Sequence, residues 1–199
     1  MDNIFQKNFK NGSFIIYPDK PNYDNLVFLN QTHSNNVVIF DKNLNYNQSA
    51  DGIIFSNDDY INTFAIKTAD CLPVVLIGNT HTALVHSGWR GIQNKILLNS
   101  KILKIMPHTI FIGPSISSKA FEVTKEFFHN FPTSKNFINR NEKIYFDLQK
   151  EAINQLQSAY KDAKISRSEV CTFSNNKFNS YRRDNTKIRN WNLFINMRE

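Results

Sequence analysis

Predicted strand ends in the first half of the chain carry histidine, cysteine, aspartate and arginine; side chains such as His33, Cys71 and His86 can bind a transition metal or attack a substrate. One thiolate and two imidazoles can hold Zn²⁺ and leave a fourth position for water or substrate. Zinc in such a site would lower the pKa of its bound water to ~7 or polarise a substrate oxygen. Because 38 residues separate His33 from Cys71 and 15 more lead to His86, only the fold can bring them together.

The same three side chains are compatible with other roles. Cys71 could be a thiolate nucleophile with His86 or His33 as its base, which would make the protein a cysteine hydrolase. A metal bound to the sulfur would suppress that role. Alternatively, Cys71 is a small buried apolar residue, as free cysteines often are, and each histidine is a polar residue at a strand end. The residue types leave all three interpretations open.

Several strands are expected to end in short polar segments that carry these residues. The chain has only six glycines, and four of them, Gly52, Gly88, Gly91 and Gly113, fall in such segments. Glycine lets the backbone turn tightly and approach a ligand closely. Strand ends that meet at one rim can form a site from residues distant in sequence. The segments are 30–34, 50–54, 67–73, 86–91 and 112–116.

Further residues could bind or orient a substrate. Arg90 lies in the segment "HSGWRG", just before a predicted helix, where free backbone N–H groups favour an anion. Arg182 and Arg183 are candidates for phosphate recognition, because planar guanidinium groups match phosphate oxygens, although a solvated basic loop is equally consistent. Asp70 could orient a histidine or a substrate hydroxyl, or cap a strand end. Ser115 could line a pocket or serve a turn.

Asp51 and the remaining polar residues receive simpler interpretations. Asp51 precedes Gly52 and is predicted to be a turn residue rather than a catalytic one. Cys171 and the remaining histidines are predicted to be structural or to lie on the surface; these histidines are His81, His108 and His129.

The elements that must position these residues are many strands followed by alternating strands and helices. Short runs rich in Val, Ile and Phe predict strands at 13–18, 25–31, 37–40, 52–56, 63–68, 72–78, 82–87, 109–113, 169–173 and 191–196. One helical face is predicted from Ile92, Ile96, Leu103 and Met106, and a further helix over 120–131. A third helix should begin after Asp147 and place Leu148, Ala152, Leu156 and Ala159 on one face. This order of elements indicates an α+β or mixed α/β domain, and we expect the α+β class.

A set of motifs in fixed order resembles the YfiH-type laccase-domain family, whose members are also called polyphenol oxidases or purine nucleoside phosphorylases. The resemblance runs from about residue 25 to the C-terminus, and the pair "TADC" and "HSGWRG" in that order is its most specific part. The motifs are "NQTHSNNVV", "SADGIIFS", "KTADCLPVVL", "ALVHSGWRG", "IGPSISSKAFEV", "FDLQKEA", "CTF" and "NSYRRDNTKIR".

The resemblance implies a four-layer α/β/β/α fold, in which helices flank a mixed β-sandwich, and a single domain over 1–199 with a shortened N-terminus. It implies a metal, usually zinc with copper as the alternative, held by His33, Cys71 and His86. It also implies phosphorolysis of adenosine, inosine and methylthioadenosine to ribose 1-phosphate and free base, with adenosine deaminase activity as a side reaction. Copper-linked phenol oxidation is also attributed to the family, but three ligands make one mononuclear site and not a multicopper cluster.

Two family motifs differ in this chain. Family members usually carry a Gly-Gly-x-Ser-like stretch and an Asn-Arg pair before the first histidine, and neither is recognisable here. Part of the substrate pocket is therefore expected to be rebuilt or to come from a neighbouring subunit. In the motif that begins at Arg182, Asn185 and Ile188 stand where glycines are usual.

Composition and the absence of certain motifs limit the kinds of binding partner that we expect. The net charge is +7, but no zinc-finger, helix-turn-helix or RNA-binding motif is visible, so nucleic acid is not an expected partner. Two cysteines do not make a disulfide scaffold. Neither a signal peptide nor an apolar run of ~18 residues is present, which predicts a cytoplasmic protein that does not bind membranes.

The expected ligands are a purine nucleoside and phosphate, and the expected state is a monomer or a small homo-oligomer. A hydrolase, acting on adenosine or on a peptidoglycan-precursor amide, is the alternative function. A protein that binds nucleosides without turnover is a third.

Overall fold

The computed structural model describes residues 2–41 and 48–197, which form strands in three sheets together with a few short helices. The first eight strands are β1 Phe5–Phe9, β2 Gly12–Tyr17, β3 Leu26–Phe28, β4 Val37–Ile39, β5 Gly52–Ser56, β6 Thr63–Thr68, β7 Leu72–Ile77 and β8 His81–Ser87. The later strands are β9 Thr109–Ile112, β10 Glu122–Val123, β11 Phe137–Arg140, β12 Lys143–Phe146, β13 Lys164–Arg167 and β14 Asn190–Asn196. The α-helices are α1 Trp89–Gln93, α2 Ser100–Lys104, α3 Leu148–Ala159 and α4 Tyr181–Asp184, and 3₁₀ helices cover Ile96–Leu98 and Lys125–Asn130.

Two large sheets pack face to face. One has the strand order β1-β2-β14-β6-β3 and the other the order β13-β9-β7-β8-β5-β4, and both mix parallel and antiparallel pairs. Phe14, Phe64 and Phe194 of the first sheet pack against Phe55 and Phe111 of the second, and all five are buried. Alternating strand residues supply this apolar layer because successive side chains point to opposite faces. The predicted α+β sandwich is confirmed.

The longest helix packs against the outer face of the six-stranded sheet. Asp147 caps α3 by accepting a hydrogen bond from the Lys150 N–H at 2.8 Å, as the sequence predicts. Leu148, Ala152 and Leu156 are buried in the core on that side, whereas Ala159, the fourth residue of the predicted face, is exposed.

The single helix predicted from Ile92 to Met106 is wrong. Lys95 adopts a left-handed backbone with φ 58°, which interrupts the helix after α1. The side chain of Asn99 then accepts a hydrogen bond from the Lys101 N–H and starts α2 in a new direction. As a result Ile102 is buried, while Leu103 and Met106 are exposed.

Two other assignments need correction. Residues 120–131 form the short strand β10 and a 3₁₀ helix instead of one α-helix. The strand predicted at 169–173 is displaced to β13, and Cys171 makes only an isolated bridge to Ser115. Strand β1 and the hairpin of β11 and β12 were not predicted, since their exposed polar residues hide the apolar alternation.

Among the described residues, no helix is long and apolar enough to cross a membrane.

Candidate metal centre

Three separate strand ends bring His33, Cys71 and His86 together. His33 precedes β4, Cys71 lies in the turn between β6 and β7, and His86 lies near the end of β8. One ligand atom from each residue lies within 4.8 Å of the others, and His33 Nε2 is 4.0 Å from Cys71 Sγ. The fold therefore brings together residues that are 38 and 15 positions apart in the sequence. These three residues are the metal ligands proposed from the sequence, and the fold places their donor atoms close enough to hold one ion.

A buried carboxylate organises two of these residues. Asp51 is fully buried and accepts hydrogen bonds from His86 Nδ1 at 2.8 Å, the His33 N–H at 3.0 Å and the Ser34 N–H at 2.6 Å. Because an ionised carboxylate only accepts, His86 must carry a proton on Nδ1, so Nε2 is the ring nitrogen that a metal would bind after displacing any proton there. The bond to the His33 N–H also holds His33 in its left-handed backbone, with φ 59°.

The charges of the site are strongly coupled. Burial alone would raise the pKa of Asp51, but hydrogen bonds from His86 and Ser34 outweigh it and hold the pKa at about 2. Burial opposes a charged His86, but the Cys71 thiolate and Asp51 raise its pKa to about 9. Burial would also raise the pKa of Cys71, yet His86 and His33 lower it to about 6. The two histidines therefore favour the thiolate form of Cys71, which is the form that binds a metal.

Residue 88 is a glycine because the site leaves little room for a side chain there. A Cβ on Gly88 would lie 3.0 Å from Cys71 Sγ and 3.2 Å from a ring carbon of His33. Its φ of −71° is ordinary for any residue. Close approach, and not an unusual backbone, therefore explains this glycine of the "HSGWRG" segment.

The three donors open into a cleft of about 850 Å³. Aromatic side chains line it, namely Trp89, Phe121, Tyr181 and Trp191. Five cationic residues also line the cleft, and we term them together the cationic wall: Lys67, Arg90, Arg182, Lys187 and Arg189. A cleft with aromatic and cationic walls next to a three-donor site suits a ligand with both a flat ring and a negative charge.

The three predicted arginines are in different positions. Arg90 is exposed and lies over the Trp89 ring at 4.3 Å, and Arg182 lies over Phe121 at 5.3 Å; both line the cleft. Arg182 also donates to the Glu122 carbonyl at 2.6 Å. Arg183 is outside the cleft lining, and its guanidinium is saturated by Asp184 and by the carbonyls of Thr172, Phe173 and Phe178.

Asp70 and Ser115 are both buried. Asp70 lines the cleft beside Cys71, and its carboxylate accepts hydrogen bonds from Thr172 Oγ1 at 2.7 Å, Ser180 Oγ at 3.1 Å and the Arg182 N–H at 2.7 Å. These bonds attach the start of α4 to the turn that carries Cys71. Ser115 does not line the cleft and accepts a hydrogen bond from Gln149 at 2.8 Å.

Sequence reasoning missed several residues of the site, among them Lys187, which lines the cleft. Asp51 was interpreted as a turn residue, although its carboxylate accepts hydrogen bonds from the backbone N–H groups of His33 and Ser34 and from the His86 ring. Lys67 and Arg189 line the cleft and were not singled out. A signal existed for Asp51, because a charged residue directly before the apolar strand β5 needs buried partners, but its partners could not be deduced from the sequence.

Residues 17–196 match the family model described as multi-copper polyphenol oxidoreductase laccase. The chain belongs to the YfiH-type laccase-domain family. A family relative from Shigella flexneri, called purine nucleoside phosphorylase YfiH, is 32% identical over 184 residues, which cover 85% of this chain and 71% of the relative. The crystal structure of a Neisseria meningitidis protein has a TM-score of 0.76 and 30% identity, and the match covers 86% of this chain and 75% of that one.

A second relative, from Aquifex aeolicus and called purine nucleoside phosphorylase, is 37% identical over 131 residues. The match covers 62% of this chain, and the chain spans only about three fifths of that relative's length, 61%. The laccase-domain match and the His33, Cys71 and His86 donor set together indicate a metal-binding protein.

Proposed function

We propose that this protein is a zinc-dependent purine nucleoside phosphorylase that cleaves adenosine, inosine and methylthioadenosine with phosphate. The C1′–N9 bond of the nucleoside breaks, a bond forms between C1′ and a phosphate oxygen, and the base leaves with a proton at nitrogen. The observation that carries the proposal is the convergence of His33, Cys71 and His86 at the floor of a cationic, aromatic cleft. The names of the relatives from Aquifex and Shigella support the choice of reaction.

The donor set fits zinc. A thiolate with two imidazoles is a common zinc ligand set, and it leaves a fourth position for a substrate. His33, Cys71 and His86 would hold the ion, and the orientation of His86 by Asp51 is the support that zinc-bound histidines usually have. Zinc in this site would polarise a substrate oxygen or lower the pKa of bound water.

The residues of the cleft have separable roles in this reaction. Arg90 and Arg182 neutralise the attacking phosphate, because both guanidinium groups face the cleft above aromatic rings. Trp89, Phe121 and Tyr181 offer ring faces for the purine. Asp70 positions the Arg182 segment by binding its backbone N–H. Arg183 and Ser115 support the surrounding chain instead of contacting substrate.

A second candidate function rests on the chain of Asp51, His86 and Cys71. The lowered pKa of Cys71 and the 2.8 Å bond between Asp51 and His86 resemble the activation of a cysteine nucleophile. A hydrolase would use this thiolate directly and would need an unligated sulfur. Metal analysis of protein purified without added metal, together with thiol alkylation, separates the two functions. Stoichiometric zinc and a protected Cys71 would exclude the hydrolase.

The test is release of free base from inosine and from adenosine, with and without phosphate. Zinc-loaded protein should release hypoxanthine and adenine only with phosphate, and Cys71→Ala should abolish the release. Cys171→Ser is the matched control, because Cys171 lies outside the metal cleft. Inosine formed from adenosine would reveal the additional deaminase activity. Base release that does not depend on phosphate, or that persists in the Cys71→Ala variant, would overturn the proposal.

A further inference from the structure

Lys67 of the cationic wall lies on the outer face of the five-stranded sheet, where Lys20 shares its aromatic neighbours. Lys67 in β6 is paired in register with Trp191 in β14. The Lys67 ammonium lies 5.3 Å from the Phe28 ring and 5.7 Å from the Trp191 ring. The Lys20 ammonium lies 5.3 Å and 5.9 Å from the same two rings. Two lysines thus share one aromatic floor.

Arg189 completes the group. It precedes β14 by one residue, lines the cleft with Lys67, and its Nη1 is held by the carbonyls of Thr186 and Ile188 at 2.7 and 2.9 Å. We term Lys20, Lys67 and Arg189 the cation triad. Burial and the positive charges of Arg189 and Lys20 lower the pKa of Lys67, so Lys67 is close enough to be repelled by both cations.

The acidic residue nearest to Lys20 in the chain is Asp19, which lines the cleft and whose carboxylate accepts a hydrogen bond from the Lys20 backbone N–H at 2.7 Å. Over residues 2–41 and 48–197, none of the three side chains forms an ion pair with Asp or Glu. Clustered cations without acidic partners destabilise the protein by mutual repulsion, and an anion bound between them removes that repulsion. The unpaired triad is therefore suited to an anionic ligand.

The backbone of the triad is held in place before any ligand binds. The Gln31 side chain accepts a hydrogen bond from the Lys67 N–H at 2.7 Å and donates one to the Lys67 carbonyl at 2.8 Å. Gln31 is two residues from His33 in the same segment and lines the same cleft. Lys67 is thereby fixed relative to the metal ligands, which is what a ligand bound at both places requires.

We propose that Lys20, Lys67 and Arg189 form a binding site for a phosphoryl group. Three positive charges match a phosphate dianion, and the two ammonium groups are held close to the same two aromatic rings. The phosphoryl group is either inorganic phosphate or the phosphate of a nucleoside 5′-monophosphate. The proposal rests on the proposed function only for the nucleoside part of the ligand, since binding of inorganic phosphate alone also tests it.

The test uses Lys67→Met, which keeps the apolar stem over the rings but removes the charge, and Lys20→Ala, whose side chain is exposed. Binding of inorganic phosphate and of inosine 5′-monophosphate is measured by isothermal titration calorimetry on zinc-loaded protein at low salt. Either variant should weaken binding of at least one of these ligands roughly tenfold, as expected when one charged hydrogen bond is lost. Lys67→Arg should restore most of the affinity. Lys104→Ala, an exposed change of equal charge on α2, should have no effect.

The pattern of effects identifies the source of the phosphoryl group. Weaker binding of inorganic phosphate and a raised KM for phosphate, with an unchanged KM for inosine, assign the triad to the co-substrate. Unchanged phosphate binding but weaker binding of inosine 5′-monophosphate assigns it to a nucleotide ligand. Unchanged affinity for both ligands in both variants would overturn the proposal. Because calorimetry requires no turnover, a protein that binds phosphate through the triad but lacks phosphorylase activity would refute only the proposed function.

Discussion

The metal end of the cleft and its cationic wall differ in how firmly their side chains are held in place. His33 and His86 are held through the buried Asp51, and a Cβ at Gly88 would crowd the Cys71 sulfur, so the ligand geometry leaves little freedom. Arg90 and Arg182 instead lie on aromatic rings and are exposed. The difference indicates that reactivity depends on the metal end and that ligand choice depends on the wall. Substitutions at the two ends should therefore have different effects.

The largest expected effect comes from Asp51→Asn. An amide at this position directs an N–H towards His86 or Ser34, so the histidine tautomer that leaves Nε2 free is no longer enforced. Zinc affinity should fall roughly 10–100-fold, as for other residues that orient metal ligands. A competition titration with a chromophoric zinc chelator measures this change, and wild-type affinity in the variant would contradict the role assigned to Asp51.

Asp51→Asn should also reduce stability. Loss of a buried charge that is paired and hydrogen-bonded costs about 3 kcal/mol in the free energy of unfolding. Because folding holds the pKa of Asp51 near 2, its stabilisation is present above the pKa of the unfolded chain and is lost as the pH falls towards 2. Urea unfolding of metal-free protein between pH 3 and pH 7 should therefore show a steeper loss in the wild type than in the variant.

Asp70→Asn should disturb the cationic wall but leave zinc binding unchanged. An amide replaces one of the acceptors for Thr172, Ser180 and the Arg182 N–H, so α4 is less firmly attached. We expect a loss of about 2 kcal/mol in unfolding free energy and a raised KM for phosphate. Zinc content measured by atomic emission should remain at wild-type stoichiometry. Loss of zinc together with activity would show that the two ends are not separable.

The neighbours Arg182 and Arg183 should respond in opposite ways. Arg182→Met removes a cleft guanidinium and should raise the KM for phosphate roughly threefold to tenfold with little change in stability. Arg183→Met leaves the carbonyls of Thr172, Phe173 and Phe178 without their donor and should lower stability. Steady-state kinetics and thermal unfolding of both variants test this contrast, and equal effects on KM would contradict it.

The smallest effect is expected in thiol reactivity. In metal-free Cys171→Ser protein, the rate of Cys71 alkylation by iodoacetamide should rise with pH with a midpoint near 6, because the neighbouring histidines lower the pKa of this thiol. Added zinc should suppress the reaction. A midpoint near the ordinary value of 9.0 would show that His33 and His86 do not stabilise the thiolate.

The sequence predicted the strands better than the contacts between them. Strands such as β5 and β6 occur where Val, Ile and Phe cluster between polar segments, and both begin and end at the predicted residues. The helix across Ile92 to Met106 failed because the left-handed Lys95 and the cap at Asn99 override the apolar period. Local patterns do not reveal such interruptions when ordinary residues cause them.

The site shows the same limit. The family resemblance identified His33, Cys71 and His86, whereas composition and spacing left their roles open. Arg182 and Arg183 are adjacent and identical in type, yet only Arg182 lines the cleft, because their positions on α4 direct the side chains differently. Asp51 was assigned to a turn, because the function of a buried carboxylate depends on partners that only the folded chain supplies.

The most direct test of the account is a titration of metal-free protein with zinc, in which formation of ribose 1-phosphate from inosine and phosphate is followed. The account predicts that activity rises linearly and reaches its plateau at one zinc per chain, and that Cys71→Ala remains inactive at every ratio. Ribose as the product, or full activity without metal, would contradict a zinc-dependent phosphorylase built on His33, Cys71 and His86.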